Sequence, residues 1–327
     1  MRWGLMGAGH IASVFAEDMS MTGSGRVVAI GSRNQGTADK FGDKYGVPGR
    51  YGSYEELVAD PEVEVVYVAT PHPWHHQNTL LALEAGKGVL VEKPFTMNAD
   101  EARELVRTAR AKGLFLMEAM CTRFLPHMVE VSRLVAAGAL GDVVTVTADL
   151  GYRFPKDPKS RFFARELGGG VLLDCGVYPV SLASMVLGKP EKVRGLVTPA
   201  FTGVDGQTSM LLGFSSGAHA VLTCNSFAHS PTRASIVGTE ARIEIDPPFY
   251  APSALTVIGK DGGSNRFEPR YKGTGLRFEA DEVERCVRAG LVESPAMPLD
   301  ETVWIMETMD AVLAEPLVGP GRTPGQS

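Results

Sequence analysis

The chain has 327 residues, 44% of them hydrophobic and 21% charged, with a formal net charge of -6 at neutral pH. That length and apolar content predict a folded chain of two domains rather than a disordered one. The mild negative charge excludes the broad basic footprint of a nucleic-acid binder and the basic face of a membrane-surface helix, so a small-molecule partner is expected.

Residues 2–7 read as a buried strand with no charged leader or cleavage site before it. No membrane segment and a cytoplasmic location are expected. Short apolar runs follow at 27–30, 65–69, 89–92 and 114–117, alternating with helical segments at 11–19, 38–45, 78–85 and 100–111. This alternation predicts α/β architecture, an N-terminal Rossmann doubly wound parallel sheet over 1–120. Asn98 and Gly113 bracket the last of these helices.

Beyond Cys121 strand-like runs follow one another through polar turns, at 143–150, 192–197, 209–214, 218–224, 234–237, 243–245 and 255–258. The expectation for 121–315 is an α+β domain with an open, mostly antiparallel sheet that binds substrate and offers a face for a homodimer or a dimer of dimers. Val303, Met306, Met309 and Leu313 stripe a helix over 299–313 that could pack back on the first domain. Residues 316–327 read as a disordered tail. Cys121, Cys175, Cys224 and Cys286 show neither zinc nor disulfide spacing, so reduced thiols are expected.

Gly7, Gly9 and Ala12 form GxGxxA between a predicted strand and a predicted helix. The first glycine permits a tight turn and the second lets the backbone approach a pyrophosphate. The small Ala12 allows close helix packing, and the helix start around His10 and Ile11 presents amides to phosphate. At the end of the second strand, Gly31, Ser32, Arg33 and Asn34 supply no carboxylate for a ribose 2′-hydroxyl. Arg33 can pair with a 2′-phosphate and Ser32 can hydrogen-bond to it, so NADP is expected over NAD.

The third strand runs into Thr70, His72 and His75, and the fourth into Glu92, Lys93 and Pro94. Ligands of open α/β sheets bind outside these carboxyl ends. The Lys93 ammonium can stabilise a developing alkoxide or lower the pKa of a neighbouring acid. No carboxylate or thiolate cluster accompanies the histidines, so no metal is expected. In GGGVLLDCGVY at 168–178, Asp174 and Tyr178 share a face if the segment is helical. Pro179 implies a kink or irregular start, and a buried structural Tyr–Asp pair remains an open alternative to catalysis.

GAGHIA, EKP at 92–94 and GGGVLLDCGVY, in this order, resemble the glucose-fructose oxidoreductase and inositol dehydrogenase family, Gfo/Idh/MocA. Longer stretches, such as LFLMEAMCTRFLP, resemble its branches that act on cyclic trans-dihydrodiols and, with NADP, on D-xylose. The resemblance implies Lys93 and Tyr178 in catalytic positions, Glu92 and Lys93 beside the nicotinamide, and Asp174 orienting substrate. It also implies His72 and His75 on the cofactor-side loop and Arg123 in the link between domains. Cys121 departs from the tryptophan common among the dihydrodiol relatives, which bears on substrate shape.

The mechanism expected from this reading has Tyr178, activated by Lys93, take a hydroxyl proton as hydride leaves the same carbon. The substrate is a sugar, polyol or cyclic trans-diol. A non-catalytic cofactor sensor and an NAD-dependent glycosidase are the alternatives.

Overall fold

The computed structural model describes residues 1–21 and 25–319. Packing divides the chain into two units, Met1–Phe124 with Tyr271–Val303, and Leu125–Arg270 with Trp304–Ser327. The sequence predicts one boundary at 120/121; the division falls after Phe124, and the chain returns to the first unit for Tyr271–Val303.

The first unit begins with β1 (Arg2–Met6), α1 (His10–Met19), β2 (Arg26–Gly31), α2 (Gln35–Tyr45), β3 (Gly49–Tyr51) and α3 (Tyr54–Ala59). It continues with β4 (Val65–Val68), α4 (His75–Glu84), β5 (Gly88–Glu92), α5 (Ala99–Lys112) and β6 (Leu116–Ala119). The strands form one parallel sheet in the order β3-β2-β1-β4-β5-β6. Helix starts follow local chemistry: the side chains of Asn34, Ser53 and Asn98 accept the N–H groups of Thr37, Glu56 and Glu101. Helix α5 stops at Gly113, φ 64°. Trp3, Phe15 and Tyr67 are fully buried, and the Phe15 and Tyr67 rings stack at 4.2 Å. Such a pair contributes about 1 kcal/mol beyond its buried area.

The second unit opens with α6 (Pro126–Ala136) and β7 (Val143–Gly151), followed after a long loop by α7 (Val177–Leu187). Next come β8 (Lys192–Pro199), β9 (Asp205–Gly213), β10 (His219–Asn225), β11 (Ala234–Gly238), β12 (Ala241–Ile245), β13 (Leu255–Gly259) and β14 (Ser264–Phe267). Their eight-stranded sheet runs β14-β13-β12-β11-β7-β10-β9-β8. Every pair is antiparallel except β7 with β10. The α/β class and the mostly antiparallel second sheet therefore match the sequence expectation. Strict alternation in β9 and β10 buries Met210, Leu212, Ala220 and Leu222 and leaves Leu211 and Val221 half exposed on the opposite face. Arg165–Leu187 is apolar and long enough by composition to cross a bilayer, but 78% of its apolar window is buried inside the protein.

The chain then forms α8 (Leu276–Arg288), among the residues of the first unit, and α9 (Leu299–Leu313). The tail expected from 316 does not start disordered. Leu317 bridges Val197, and the Val318 N–H donates to the Val197 carbonyl at 2.8 Å. Residues 320–327 lie outside the described residues.

Candidate active site

The loop between β1 and α1 has the shape a pyrophosphate needs. Gly7 has φ +107°, and a Cβ there would lie 2.9 Å from the Ala69 carbonyl oxygen, so no side chain fits. A Cβ on Gly9 would meet nothing within 4 Å, which leaves open space in front of α1. Gly9 caps the helix without any side-chain hydrogen bond, and no acid occupies the first turn. The amides around His10 and Ile11 therefore keep their donor capacity for an anion. Ala12 is fully buried against the sheet. These features fit a dinucleotide phosphate.

At the end of β2, the Ser32 N–H is bonded to the Tyr51 carbonyl, and the exposed Arg33 carries its guanidinium 5.9 Å from the Trp74 ring centroid. Arg33 and Trp74 border a pocket of about 360 Å³, lined also by Ser53, Tyr54, Thr70 and Asn78; Ser32 is not in its lining. Glu55 is the one acid in its lining. Arg33 makes no ion pair among the described residues, so its charge is open to a ligand.

The carboxyl ends of β4 and β5 are tied together by His75. Its Nε2 lies 2.7 Å from the Thr70 carbonyl oxygen and its Nδ1 2.8 Å from that of Pro94. A doubly protonated ring would satisfy both carbonyls, whereas burial disfavours the charge and pushes the pKa down to about 4. Burial prevails at neutral pH, and the neutral ring donates to one carbonyl. His75 is 1% exposed and so shapes the Thr70 and Pro94 loops from beneath; His72 is also buried. Thr70 Oγ1 accepts from Asn78 Nδ2 at 3.0 Å.

Glu92 is buried at the end of β5, where Tyr67 donates a short hydrogen bond to Oε1 and the Lys93 N–H donates to Oε2 at 3.1 Å. Burial, reinforced by Glu92, holds the Tyr67 phenol well above its usual pKa, so it remains a donor. Lys93 is half-buried and follows directly. Two further acids lie deep in this unit. Glu118 accepts the Phe95 N–H at 3.2 Å, and burial raises its pKa to about 7. Both carboxyl oxygens of Glu279 are buried with no hydrogen-bond partner among the described residues. Burial, and then Glu92, hold Glu279 well above the carboxylate range, so it is a neutral acid. The Cys121 thiol is likewise pushed well up by burial. Arg123 pairs with Glu301 through both terminal nitrogens and donates to the Ala296 carbonyl at 3.3 Å, an internal brace with a side chain only 4% exposed.

In the second unit, Asp174 lies in a π-helical turn, Leu172–Gly176, that leads into α7. The irregular start expected from Pro179 takes this form, and such turns re-aim side chains at functional sites. The segment's entry is fixed by Asp205, whose Oδ2 accepts the Leu172 N–H at 2.6 Å. Burial raises the Asp205 pKa to about 6 against the pull of backbone N–H groups. Gly170 has φ +139°, and a Cβ there would sit 2.1 Å from Asp205 Oδ1. Asp174 is bound by Arg161, with Nη1 to Oδ1 at 3.0 Å and Nη2 to Oδ2 at 3.3 Å. The Tyr178 ring is 4.7 Å from that of Tyr250, whose hydroxyl is 2.6 Å from the Tyr152 hydroxyl.

Of the expected site residues, Gly7, Gly9, His10, Ile11, Ser32, Arg33, Thr70, His72, His75, Glu92, Lys93 and Arg123 belong to the first unit, and Asp174 and Tyr178 to the second. Sequence reasoning missed Arg161, Tyr250 and Tyr152. The alternation of basic and aromatic residues in RFPKDPKSRFF was the available signal for the first.

Residues 1–120 match the model of an oxidoreductase family with an NAD-binding Rossmann fold, and residues 128–244 match the GFO/IDH/MocA C-terminal domain. The chain belongs to the Gfo/Idh/MocA oxidoreductase family. Its relatives within and around that family include the trans-1,2-dihydrobenzene-1,2-diol dehydrogenase of Mus musculus, 39% identical over 95% of both chains. The human protein of the same name is 37% identical over 95% of this chain and 96% of its own. Among solved structures, the aldose-aldose oxidoreductase from Caulobacter crescentus complexed with glycerol superposes with a TM-score of 0.87, at 27% identity and 96% coverage of both chains. KijD10, a 3-ketoreductase from Actinomadura kijaniata in complex with NADP and TDP-benzene, gives 0.83 at 26% identity, covering 96% of this chain and 97% of that one. This Gfo/Idh/MocA protein is accordingly a dehydrogenase for CH–OH groups whose first unit binds a nicotinamide dinucleotide.

Proposed function

We propose that the chain oxidises one hydroxyl-bearing carbon of a vicinal diol, either a cyclic trans-diol or a sugar such as an aldopyranose, and that it uses NADP in preference to NAD. The observation that carries the substrate class is the likeness, at 37–39% identity over 95% of the chain, to enzymes named for a trans-dihydrodiol. The preference for NADP rests on Arg33, a cation with no ion pair among the described residues, which borders an open pocket at the end of β2 beside Trp74. An Arg can meet a 2′-phosphate with paired N–H groups and stack on adenine. Glu55, on the same pocket, works against it by charge, but Arg33 stands at the strand end where the ribose is read.

The nicotinamide, when bound, accepts or returns hydride. Gly7, Gly9 and the first amides of α1 would hold its phosphates. We assign Tyr178 the transfer of the hydroxyl proton, Lys93 the positive charge that makes a tyrosinate accessible near neutrality, and Asp174 the acceptance of a second substrate hydroxyl. Asp174 is bound by Arg161, and the Tyr178 ring lies against that of Tyr250. The reading also takes the protein as cytoplasmic, in keeping with four cysteines that are not joined in disulfides. It further takes the open face of the eight-stranded sheet, where Leu196, Leu211 and Val221 are exposed, as a homodimer surface.

The test is a screen of reduced-nicotinamide absorbance with NADP or NAD against trans-diols, aldoses and inositols. NADP reduction with a diol or aldose is expected, and Arg33→Ala should raise the KM for NADP about 10-fold or more while moving that for NAD far less. Equal efficiency with both cofactors, unchanged in the variant, would refute the NADP preference. Silence across the panel would refute the substrate class.

A further inference from the structure

Asp174 is one half of a fixed pair. Arg161 meets its carboxylate with two terminal nitrogens, and the guanidinium carbon also lies 4.5 Å from the Phe162 ring centroid. Phe162 is itself stacked on Phe154, with centroids 3.8 Å apart and planes 14° from parallel. Both rings pack against the buried cluster of Phe163, Ala200 and Val204. A guanidinium held by a carboxylate along one edge and by an aromatic ring on one face has little freedom to turn away.

The two partners differ in exposure. The Asp174 side chain is 9% exposed and that of Arg161 is 55% exposed. A guanidinium has five N–H donors and a carboxylate about four lone-pair sites. Their two hydrogen bonds use two of the five guanidinium donors, and Arg161, more than half exposed, turns others to solvent. The pair sets a donor, the Arg161 guanidinium, beside an acceptor, the Asp174 carboxylate.

We propose that Arg161 and Asp174 together read the substrate hydroxyl that is not oxidised, which donates its proton to the Asp174 carboxylate while its oxygen accepts from Arg161. This rests on the dehydrogenase reading above and narrows its substrate class. A hydroxyl is the group that answers both partners: an ether or ketone offers the acceptor alone, and an ammonium offers donors alone and meets the Arg161 charge. Arg161 is then a substrate-contacting specificity residue, and a substrate lacking the second hydroxyl forgoes both of these hydrogen bonds.

The experiment compares trans-cyclohexane-1,2-diol with cyclohexanol on the NADPH-loaded chain, in wild type, Arg161→Gln and Arg161→Lys. Binding is measured by ligand-observed NMR competition, and turnover with NADP is measured in parallel. Wild type is expected to bind the diol in preference. Arg161→Gln should shrink that preference about 10-fold or more, in line with losing a hydrogen bond to a charged group, and Arg161→Lys should restore part of it. A merely structural ion pair would instead weaken both alcohols alike, and that result, or an unchanged preference, or none in wild type, overturns the proposal. Loss of the binding preference in a chain that oxidises neither alcohol would support the role of Arg161 and refute the dehydrogenase substrate class alone.

Discussion

The substitution Asp205→Asn tests how the entry to the Asp174–Tyr178 segment is held. In the native chain Asp205 binds the Leu172 N–H at 2.6 Å, and burial raises its pKa from 3.8 to about 6. An acid whose pKa is raised by folding binds its proton more tightly in the native state than in the unfolded one. Its contribution to stability is therefore greatest below the unfolded value, and falls as pH rises from 3.8 to about 6. At about 1.4 kcal/mol per unit, that loss amounts to ~3 kcal/mol across the window. Asparagine cannot ionise, so the variant should lack this component, and it should also lose about 1 kcal/mol for an acceptor turned into an amide donor. The assay is urea denaturation at several pH values, read by pulsed amide exchange on peptides from 172–187, because two units need not unfold in one step. The stability difference, variant minus wild type, should grow by ~3 kcal/mol in the variant's favour from about pH 4 to about pH 7. A difference independent of pH would refute the reasoning.

Two further substitutions or titrations follow from the same geometry. Gly7→Ala places a Cβ 2.9 Å from the Ala69 carbonyl oxygen at φ +107°, so it should cost about 1–3 kcal/mol in stability and weaken NADPH binding at least 10-fold by calorimetry; binding equal to wild type would contradict the cradle. The buried His75, with its pKa lowered to about 4, contributes stability that is fully present above its unfolded value of 6.5 and is lost as pH falls through that window, up to ~3 kcal/mol. Its ring should stay neutral in ¹⁵N NMR at about pH 6, and a doubly protonated ring there would show that the two carbonyls outweigh burial.

What was legible in the sequence was local. The turn from β1 into α1 could be read because Gly7, Gly9 and Ala12 carry their reasons within one turn of chain, and α5 because Asn98 and Gly113 mark its ends. β3 escaped, since three half-buried residues leave no periodicity to detect. β6 was placed two residues early, because the apolar run at 114–117 continues through Glu118, an acid that is fully buried in the structure. Nothing in the sequence marks Glu118 and Glu279 as buried; only the tertiary fold does, and burial raises the Glu118 pKa to about 7 and holds that of Glu279 well above the carboxylate range. The approach of Arg161 to Asp174 joins a loop to a π-helical turn across a Gly-rich connection, a relation that spacing does not encode. The return of Tyr271–Val303 to the first unit was invisible for the same reason: helix α8 shows its apolar stripe, but not which sheet receives it.

The central claim is that Tyr178 moves the hydroxyl proton in a nicotinamide-dependent oxidation. It is tested most directly by single-turnover kinetics of Tyr178→Phe with NADP and the best diol or aldose, with NADPH affinity measured by fluorescence on the same preparation. The account expects the chemical step to slow by about 10²-fold or more while cofactor affinity is nearly unchanged. Turnover equal to wild type would contradict it.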